Sequence, residues 1–348
     1  MKLISDLDRK DGVDASSIAR HPATRAWLKL TKHSTVPEGI EIIQERVRKP
    51  ESIYRRNDKA CVYKLMGVGP DGAHVIAKRR ESAAVASECL IYDNVLPYLP
   101  VSALRYYGLV PDDDQQFYWL FLEDAGEQDY CSELEEHRVL AGHWLGTMNV
   151  SAQKVCAAAQ LPDRGSDFYL ATLLASRETL RTILLGSKFN DVDSAMLRAV
   201  ISHCDILERR WDAIERICSR VPRTLVHGDF AAQNARLRSV PTGKSLIVLD
   251  WEEAGWGVPA IDLAQFVGTS LSPDLRTYYA AVQFSWPHLA LADFEKLTAV
   301  GRIFRLISSL DWTNCGYRSS AADWYIEKLR WCEHELVRGL RVTQTWDH

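Results

Sequence analysis

Two apolar segments that each end in an aspartate constrain this chain more than any other feature of its sequence. The first reads Leu225-Val226-His227-Gly228-Asp229, and Asn234 follows its aspartate by five positions. The second reads Leu246-Ile247-Val248-Leu249-Asp250. Apolar, β-branched runs of this length are typical of short buried strands. The pattern therefore predicts two strands that hold Asp229, Asn234 and Asp250 at the mouth of a sheet, where short side chains are positioned rigidly.

Three oxygen-bearing side chains in this order suit phosphoryl transfer, which needs positioning and charge rather than covalent chemistry from the protein. Asp229 could orient an attacking hydroxyl as a general base. Asn234 and Asp250 offer the hard oxygen ligands that Mg²⁺ prefers. The leading interpretation is a kinase-like site in which Asp229 is catalytic and Asn234 and Asp250 bind the metal.

The same spacing occurs in the catalytic loop and metal-binding aspartate of protein kinases. The variants found here, His-Gly-Asp and Asp250-Trp251-Glu252, resemble the aminoglycoside phosphotransferase and choline kinase-like family of small-molecule kinases. The stretch Gly257-Val258-Pro259-Ala260-Ile261-Asp262-Leu263-Ala264 resembles that family's Gly-x-Pro-x-x-Asp-Leu-Ala continuation. The resemblance implies that Asp262 is a buried structural residue that holds the catalytic loop through backbone hydrogen bonds. We expect His227 to brace the loop rather than to act as the base.

A lysine and a glutamate upstream are candidates for binding the nucleotide. The stretch Val75-Ile76-Ala77-Lys78 nearly repeats the Val-Ala-Ile-Lys strand of protein kinases, whose lysine is a point charge on the phosphates. Glu88 follows ten residues later on a predicted helix and is placed to pair with Lys78. Both could instead lie on solvated faces, where these residue types usually lie. Their order before Asp229 and Asp250 favours the nucleotide-binding role.

The segment expected to cradle the phosphates departs from the kinase pattern. Kinase-like sheets usually carry a Gly-rich hairpin between their first two strands, but residues 47–60 contain no glycine. They contain Arg48, Lys49, Ser52, Arg55 and Arg56 instead. Side-chain cations and a hydroxyl can replace backbone donors at a phosphate, which makes Ser52 and Arg55 candidate nucleotide ligands. Equally, the run could be a solvated turn between strands.

The remaining pattern predicts a small sheet followed by helices. Strands are expected over residues 40–47, 60–66, 73–78 and 118–122, with a hairpin connection over 67–72. Beyond the last of these strands, the backbone around Glu123 and Ala125 could receive the nucleotide base. Helices are expected over residues 82–99, 134–150, 168–185 and 194–220, from the N-cap pair Ser272-Pro273, along an apolar stripe over 297–310, and over 324–340.

These elements predict an α+β, bilobal protein-kinase-like fold, with a small antiparallel-sheet N-lobe, a mainly helical C-lobe and an active site between them. We expect an N-terminal helical extension over residues 1–36, a nucleotide-binding N-lobe over 37–124, and a C-lobe with the catalytic loop and the acceptor-binding helices over 125–348. The helix that family members commonly end with Leu-Ala-x-Leu-His ends here with Leu145-Gly146-Thr147-Met148-Asn149.

Composition excludes several classes of protein. The formal charge of −4 over 348 residues leaves no global basic surface for nucleic acid. No apolar run approaches the ~20 residues of a membrane span, and the N-terminus lacks the apolar region of a signal peptide. We therefore expect a cytoplasmic protein that does not enter a membrane. Eight cysteines without a Cys-x-x-Cys pair argue against a zinc site or a disulfide framework, and we expect reduced core residues.

The sequence says least about the acceptor. Residues 262–348 carry ten acidic and nine basic side chains, which does not favour a strongly acidic pocket for a polycation. Aromatic residues in this region could hold a cationic or flat acceptor, although tryptophans at helical spacing more often pack in a core. Asp311 and Trp312, at the end of the apolar stripe, are the candidate acceptor-binding residues.

Three hypotheses follow for the function. The first, which we favour, is a phosphotransferase that uses Mg²⁺ and ATP or GTP to modify an antibiotic or other natural product, as in antibiotic resistance. The second is a metabolite kinase of the choline, amino alcohol, sugar or homoserine type. The third is a non-catalytic nucleotide-binding protein, against which the intact set of candidate residues counts. The partners would be the nucleotide and a small acceptor, in a monomer or a homodimer.

Overall fold

The computed structural model describes residues 20–33, 41–45, 61–113, 116–155, 158, 160–186, 189–241, 243–317 and 322–343. These residues form two compact units. Described residues up to 86, together with 104–124, form the first unit. Described residues 87–103 and those from 125 onward form the second unit. The candidate ligands Ser52 and Arg55 lie outside the described residues.

An antiparallel sheet builds the first unit. Its described strands are β1 Ile42–Glu45, β2 Cys61–Leu65, β3 Val75–Glu81, β4 Tyr106–Pro111 and β5 Phe117–Glu123, in the spatial order β1-β2-β3-β5-β4. The predicted hairpin between β2 and β3 is confirmed by their antiparallel register. β3 continues beyond the predicted end at Lys78 as far as Glu81, because it pairs along its whole length with β5.

One helix packs on this sheet. Helix α1, Pro22–Thr31, begins after His21, whose ring Nδ1 accepts the Ala23 N–H at 3.3 Å, and it has proline at its first position. Its Trp27 is 5% exposed and contacts the rings of Tyr107 and Phe121. The apolar face of the sheet is therefore covered by an element that carries no candidate site residue.

The second unit is mainly helical. Its helices are the later part of α2 Ser82–Asn94, then α3 Glu135–Ala152, α4 Ser166–Gly186, α5 Asp191–Arg209, α6 Trp211–Cys218, α7 Leu275–Val282, α8 Leu291–Gly316 and α9 Ala322–Thr343. The predicted order of a sheet followed by helices is confirmed. In the described part of the chain, no helix combines the length and the apolar character of a membrane span.

Three predicted helix limits were wrong. Helix α2 ends at Asn94 rather than at residue 99, and a 3₁₀ turn follows at Leu96–Tyr98. Pro97 has no N–H with which to continue the α-helical hydrogen bonds. The helix expected over 194–220 breaks at Arg210 into α5 and α6, although neither glycine nor proline marks that position. Helix α7 is capped by Asp274, which accepts the Thr277 N–H at 2.8 Å, and not by Ser272.

The two aspartate-bearing segments do form strands, but in separate sheets. β7 Thr224–Val226 lies beside β10 Gly255–Gly257, which also pairs with β6 Asp163–Arg164. β8 Ala235–Val240 and β9 Gly243–Val248 form an antiparallel hairpin. Asp229 therefore follows β7, Asp250 follows β9, and Asn234 immediately precedes β8.

Among the described residues, no disulfide joins the cysteines. Cys204, Cys218 and Cys332 are buried, as expected, whereas Cys315 is exposed. Cys156 lies outside the described residues.

Candidate active site

A buried carboxylate holds the loop that follows β7. Asp262, 2% exposed on the 3₁₀ turn Ile261–Leu263, accepts the His227 N–H at 2.7 Å through Oδ2 and the Gly228 N–H at 3.0 Å through Oδ1. Burial raises the pKa of the Asp262 carboxyl, and the two backbone donors and the nearby Arg305 guanidinium oppose the rise. The loop is thus anchored through its backbone, in the geometry expected from the family resemblance.

His227 ties the loop to the end of β9. Its Nδ1 accepts the Asp229 N–H at 3.3 Å, so its Nε2 carries the proton and donates to the Leu249 carbonyl at 2.9 Å. Both ring nitrogens are therefore engaged in holding the backbone. A ring in this state is suited to bracing the loop and not to accepting a proton from a substrate.

Only glycine fits between His227 and Asp229. Gly228 has φ of +82°, and a Cβ added there would lie 2.3 Å from the Glu253 carbonyl oxygen. Both facts exclude a side chain, because left-handed backbone is costly for other residues and the carbonyl belongs to a fixed turn. The glycine of His-Gly-Asp is therefore required by the close approach of the 3₁₀ turn Trp251–Glu253.

Asn234 is hydrogen-bonded directly to the candidate base. Its Nδ2 donates to the Asp229 Oδ2 at 2.8 Å and to the Asp229 carbonyl at 3.0 Å. These two acceptors fix the orientation of the amide, which leaves Oδ1 as the atom able to ligate a metal. The Asn234 carbonyl in turn accepts the Leu249 N–H at 2.8 Å, so Asn234 is bonded to the residue that precedes Asp250.

Asp250 leaves β9 in a left-handed conformation, with φ of 64° and ψ of 68°. The next residue, Trp251, is fully buried and lies 4.6 Å from the ring of His227, centre to centre. The left-handed backbone of Asp250 and the burial of Trp251 restrain the turn that follows β9. An amide oxygen and a carboxylate are hard oxygen donors of the kind that Mg²⁺ prefers, so the donor types of Asn234 and Asp250 fit that ion.

Neither of the upstream charged candidates is solvated. Glu88 on α2 is fully buried, and Lys78 on β3 is 8% exposed, between Val62 of β2 and Leu120 of β5. The alternative of solvated faces was therefore wrong for both residues. Tyr92, one turn after Glu88, is buried as well, and its phenol pKa is raised by burial and then by the charges of Glu88 and Asp250. The charges of Glu88 and Asp250 thus both act on Tyr92.

The acid that ends β5, Glu123, has a structural role. Glu123 donates its N–H to the Arg105 carbonyl at 2.9 Å and accepts the Arg105 N–H at 3.0 Å through Oε2. Asp124 forms an ion pair with Lys64 at 2.7 Å. Ala125 is 9% exposed. If Glu123 binds the nucleotide base, it would do so through its backbone carbonyl and not through its side chain.

The two acceptor candidates lie on α8. The Asp311 Oδ1 accepts a hydrogen bond from the hydroxyl of Ser176 on α4 at 3.1 Å. Burial raises the pKa of the Asp311 carboxyl, and the hydrogen bond from Ser176 opposes this rise. The ring of Trp312 makes an edge contact with Trp324 of α9, 5.5 Å between centres. Both side chains are half-buried, so they pack between helices and still present some surface.

Sequence reasoning missed one charged residue of the site. Arg305 on α8 places its Nη2 3.6 Å from the Asp229 Oδ1, and its side chain is only 12% exposed. The available signal was an arginine inside the apolar stripe that includes Phe304 and Ile307, since arginine is seldom buried unless paired.

Comparison with known proteins places this geometry in a family. The model of the phosphotransferase enzyme family, APH, matches residues 68–296, about two thirds of the chain. No curated protein sequence matches the chain. Three solved structures show its fold. The GDP complex of wild-type aminoglycoside 2′-phosphotransferase-IIIa has a TM-score of 0.61 and 13% identity, over 90% of this chain and 97% of that one.

Plasmodium vivax ethanolamine kinase has a TM-score of 0.56 and 13% identity, over 94% of this chain and 95% of the other. Choline kinase from Cryptosporidium parvum has a TM-score of 0.55 and 10% identity, over 89% and 92%. The predicted α+β, protein-kinase-like fold is confirmed, and so is the family resemblance. The matched residues include the loop from His227 to Asn234, the ends of β7 and β9 and the Asp262 turn, and the chain belongs to the phosphotransferase enzyme family.

Proposed function

We propose that the chain is a Mg²⁺-dependent kinase that transfers the γ-phosphoryl group of ATP or GTP to a hydroxyl of a small molecule, with an antibiotic or other natural product as the leading acceptor. One observation carries the proposal. The Asp229 carboxylate is 30% exposed and is hydrogen-bonded to Asn234, which is itself bonded to the strand end that presents Asp250. A reachable base beside a hard oxygen pair is the arrangement that phosphoryl transfer requires.

Each residue then has a separate task. Asp229 orients the acceptor hydroxyl and takes up its proton as the oxygen attacks the γ-phosphorus, whose bond to the β-phosphate oxygen breaks to release the nucleoside diphosphate. Asn234 Oδ1 and the Asp250 carboxylate would hold Mg²⁺, which neutralises negative charge on the phosphate oxygens when it is bound.

The other residues bind the nucleotide or support the loop. Lys78 and Glu88 are assigned to the nucleotide by their order in the sequence and by their burial. His227 and Asp262 keep the loop in place and do not touch the reacting atoms. Because the nucleotide co-substrate, ATP or GTP, is supplied in the cytoplasm, we place the reaction there.

A metabolite kinase of the choline, amino alcohol, sugar or homoserine type is the second candidate. The contact between Trp312 and Trp324 favours it, because half-buried aromatic faces can hold a quaternary ammonium or a flat ring. Ethanolamine and choline kinases are among the structures that share the fold. The donor-side residues serve either acceptor, so the choice between the two candidates depends on the acceptor alone.

A transfer assay with radiolabelled ATP and GTP tests the proposal. The panel comprises aminoglycosides and other antibiotics, amino alcohols, sugars and homoserine. Asp229→Ala should lower the turnover of any acceptor found by roughly 100-fold or more, because a positioned base contributes about that much, while leaving nucleotide affinity nearly unchanged. Asp167→Ala, which removes an exposed carboxylate on α4, should behave as the wild type. Wild-type turnover in Asp229→Ala would contradict the assignment of the base.

A further inference from the structure

We propose that Arg305 is a positioning residue for the phosphoryl transfer, which holds the catalytic carboxylate of Asp229 through the oxygen that Asn234 does not use. The inference rests on the proposed function, because it presupposes that Asp229 is the base. Arg305 lies beyond residues 68–296, the part of the chain that matches the family model.

The two oxygens of Asp229 face different partners. Oδ2 accepts a hydrogen bond from the Asn234 amide at 2.8 Å, whereas Oδ1 lies 3.6 Å from the Arg305 Nη2. A carboxylate held at one oxygen can still rotate, but attachment at both oxygens fixes its plane. The longer distance makes the contact with Arg305 an ion pair and not a hydrogen bond. Oδ1 thus keeps a lone pair that can accept a hydrogen bond from the hydroxyl of the substrate that receives the phosphoryl group.

The charged groups around Arg305 belong to the loop that carries Asp229 and to the turn that anchors this loop. Burial lowers the pKa of the Arg305 guanidinium, and the charges that oppose this effect come first from Asp229 and then from Asp262. One is the candidate base and the other anchors the same loop. Among the described residues, no acceptor makes a hydrogen bond to the buried Nη1 of Arg305. A buried, incompletely bonded cation costs stability, and such costs are commonly retained where a group serves a site.

The helix that carries Arg305 is fixed against the loop's anchor. Gly301, one turn earlier on α8, packs so closely on the Asp262 turn that an added Cβ would lie 1.7 Å from the Ala260 carbonyl oxygen. Phe304 stacks on Tyr169 of α4, with ring centres 3.9 Å apart. The backbone of Arg305 is therefore rigid with respect to the turn that holds the catalytic loop. Arg302, on the same helix, instead binds Glu335 of α9 at 2.6 Å and serves as a matched control.

The experiment compares Arg305→Ala, Arg305→Gln, Arg305→Lys and Arg302→Ala in the transfer assay, beside the wild type and Asp229→Ala. Arg305→Ala and Arg305→Gln should lower kcat by about 10- to 100-fold, with little change in the KM for nucleotide, because a misplaced base affects the chemical step. Arg305→Lys should recover part of kcat, since it restores the charge but not the planar group. Free guanidinium at millimolar concentration should partly rescue Arg305→Ala, and neutral urea at the same concentration should not. Arg302→Ala should keep the wild-type kcat.

Two results would overturn the inference. One is a wild-type kcat in Arg305→Gln, which also decides the matter if Arg305→Ala does not fold. The other is a loss of kcat that neither lysine nor guanidinium reverses, since that would show a purely structural role. If the wild type itself shows no transfer that depends on Asp229, the proposed function fails and Arg305 has no base to position. Transfer that depends on Asp229 but not on Arg305 refutes the inference alone.

Discussion

At the scale of single residues, Asn149 shows how a departure from the family's usual sequence is accommodated. It stands at the end of α3, where members commonly carry histidine, and it is fully buried. Its Nδ2 donates to the Leu225 carbonyl at 2.9 Å, and its Oδ1 accepts the Tyr278 hydroxyl at 2.9 Å. Its own carbonyl accepts the Thr224 hydroxyl. One amide therefore joins α3, α7 and β7, the strand that leads into the catalytic loop.

Replacing Asn149 with leucine should destabilise the protein by about 2–4 kcal/mol, because the Leu225 carbonyl and the Tyr278 hydroxyl would both stay buried without a partner. Urea denaturation of the purified variant measures the change in the free energy of unfolding. Tyr278→Phe is the matched control, since it removes one of the two side-chain bonds and should cost roughly 1 kcal/mol. A leucine variant with the same free energy of unfolding as the wild type would show that these hydrogen bonds do not stabilise the fold.

At the scale of elements, the contact between α8 and the Asp262 turn links the largest helix to the catalytic loop. The turn holds the loop through two backbone hydrogen bonds, and α8 supports the turn from behind at Gly301. Backbone atoms on both sides leave no room for a side chain. Any separation of α8 from the turn should therefore move Asp262, and with it the His227-Gly228-Asp229 segment.

Gly301→Ala tests this linkage. A methyl group 1.7 Å from the Ala260 carbonyl oxygen cannot be accommodated without moving the helix, so we expect a loss of stability of at least 2 kcal/mol and a lower kcat; overpacking alone costs about 1–3 kcal/mol. The control is Gly339→Ala in α9, where the nearest atom to an added Cβ is a side-chain carbon of Ile303 at 3.6 Å. That variant should be neutral or more stable by up to about 1 kcal/mol, because alanine favours helix. Equal melting temperatures and rates for the two variants would contradict the linkage.

At the scale of the whole molecule, the sequence predicted most of what local patterns encode. Four of the five described strands of the first unit followed from the polar and apolar pattern, whereas β4, Tyr106–Pro111, was not predicted. The order of the loop residues followed from spacing. What it could not show depends on contacts between distant positions. Arg305 and Asp229 form an ion pair although they lie 76 positions apart in the chain, and no local sequence pattern near either residue predicts the contact. The break at Arg210 arises without a local breaker, because tertiary packing overrides helix propensity there.

The same scale suits a test of the metal, because a ligand bound only to the folded protein stabilises the entire folded state. Nucleotide at about 100 times its Kd should raise the free energy of unfolding by about 2.7 kcal/mol. If Asn234 and Asp250 hold Mg²⁺ on the phosphates, much of this gain should require the metal. Adding EDTA should then reduce the shift in melting temperature, and Asp250→Asn should reduce it even with Mg²⁺ present, since its neutral amide attracts the cation less. Asp167→Asn should keep the full shift. A metal-dependent shift in Asp250→Asn equal to that of the wild type would remove Asp250 from the metal site, and running ATP and GTP in parallel shows which nucleotide the protein binds.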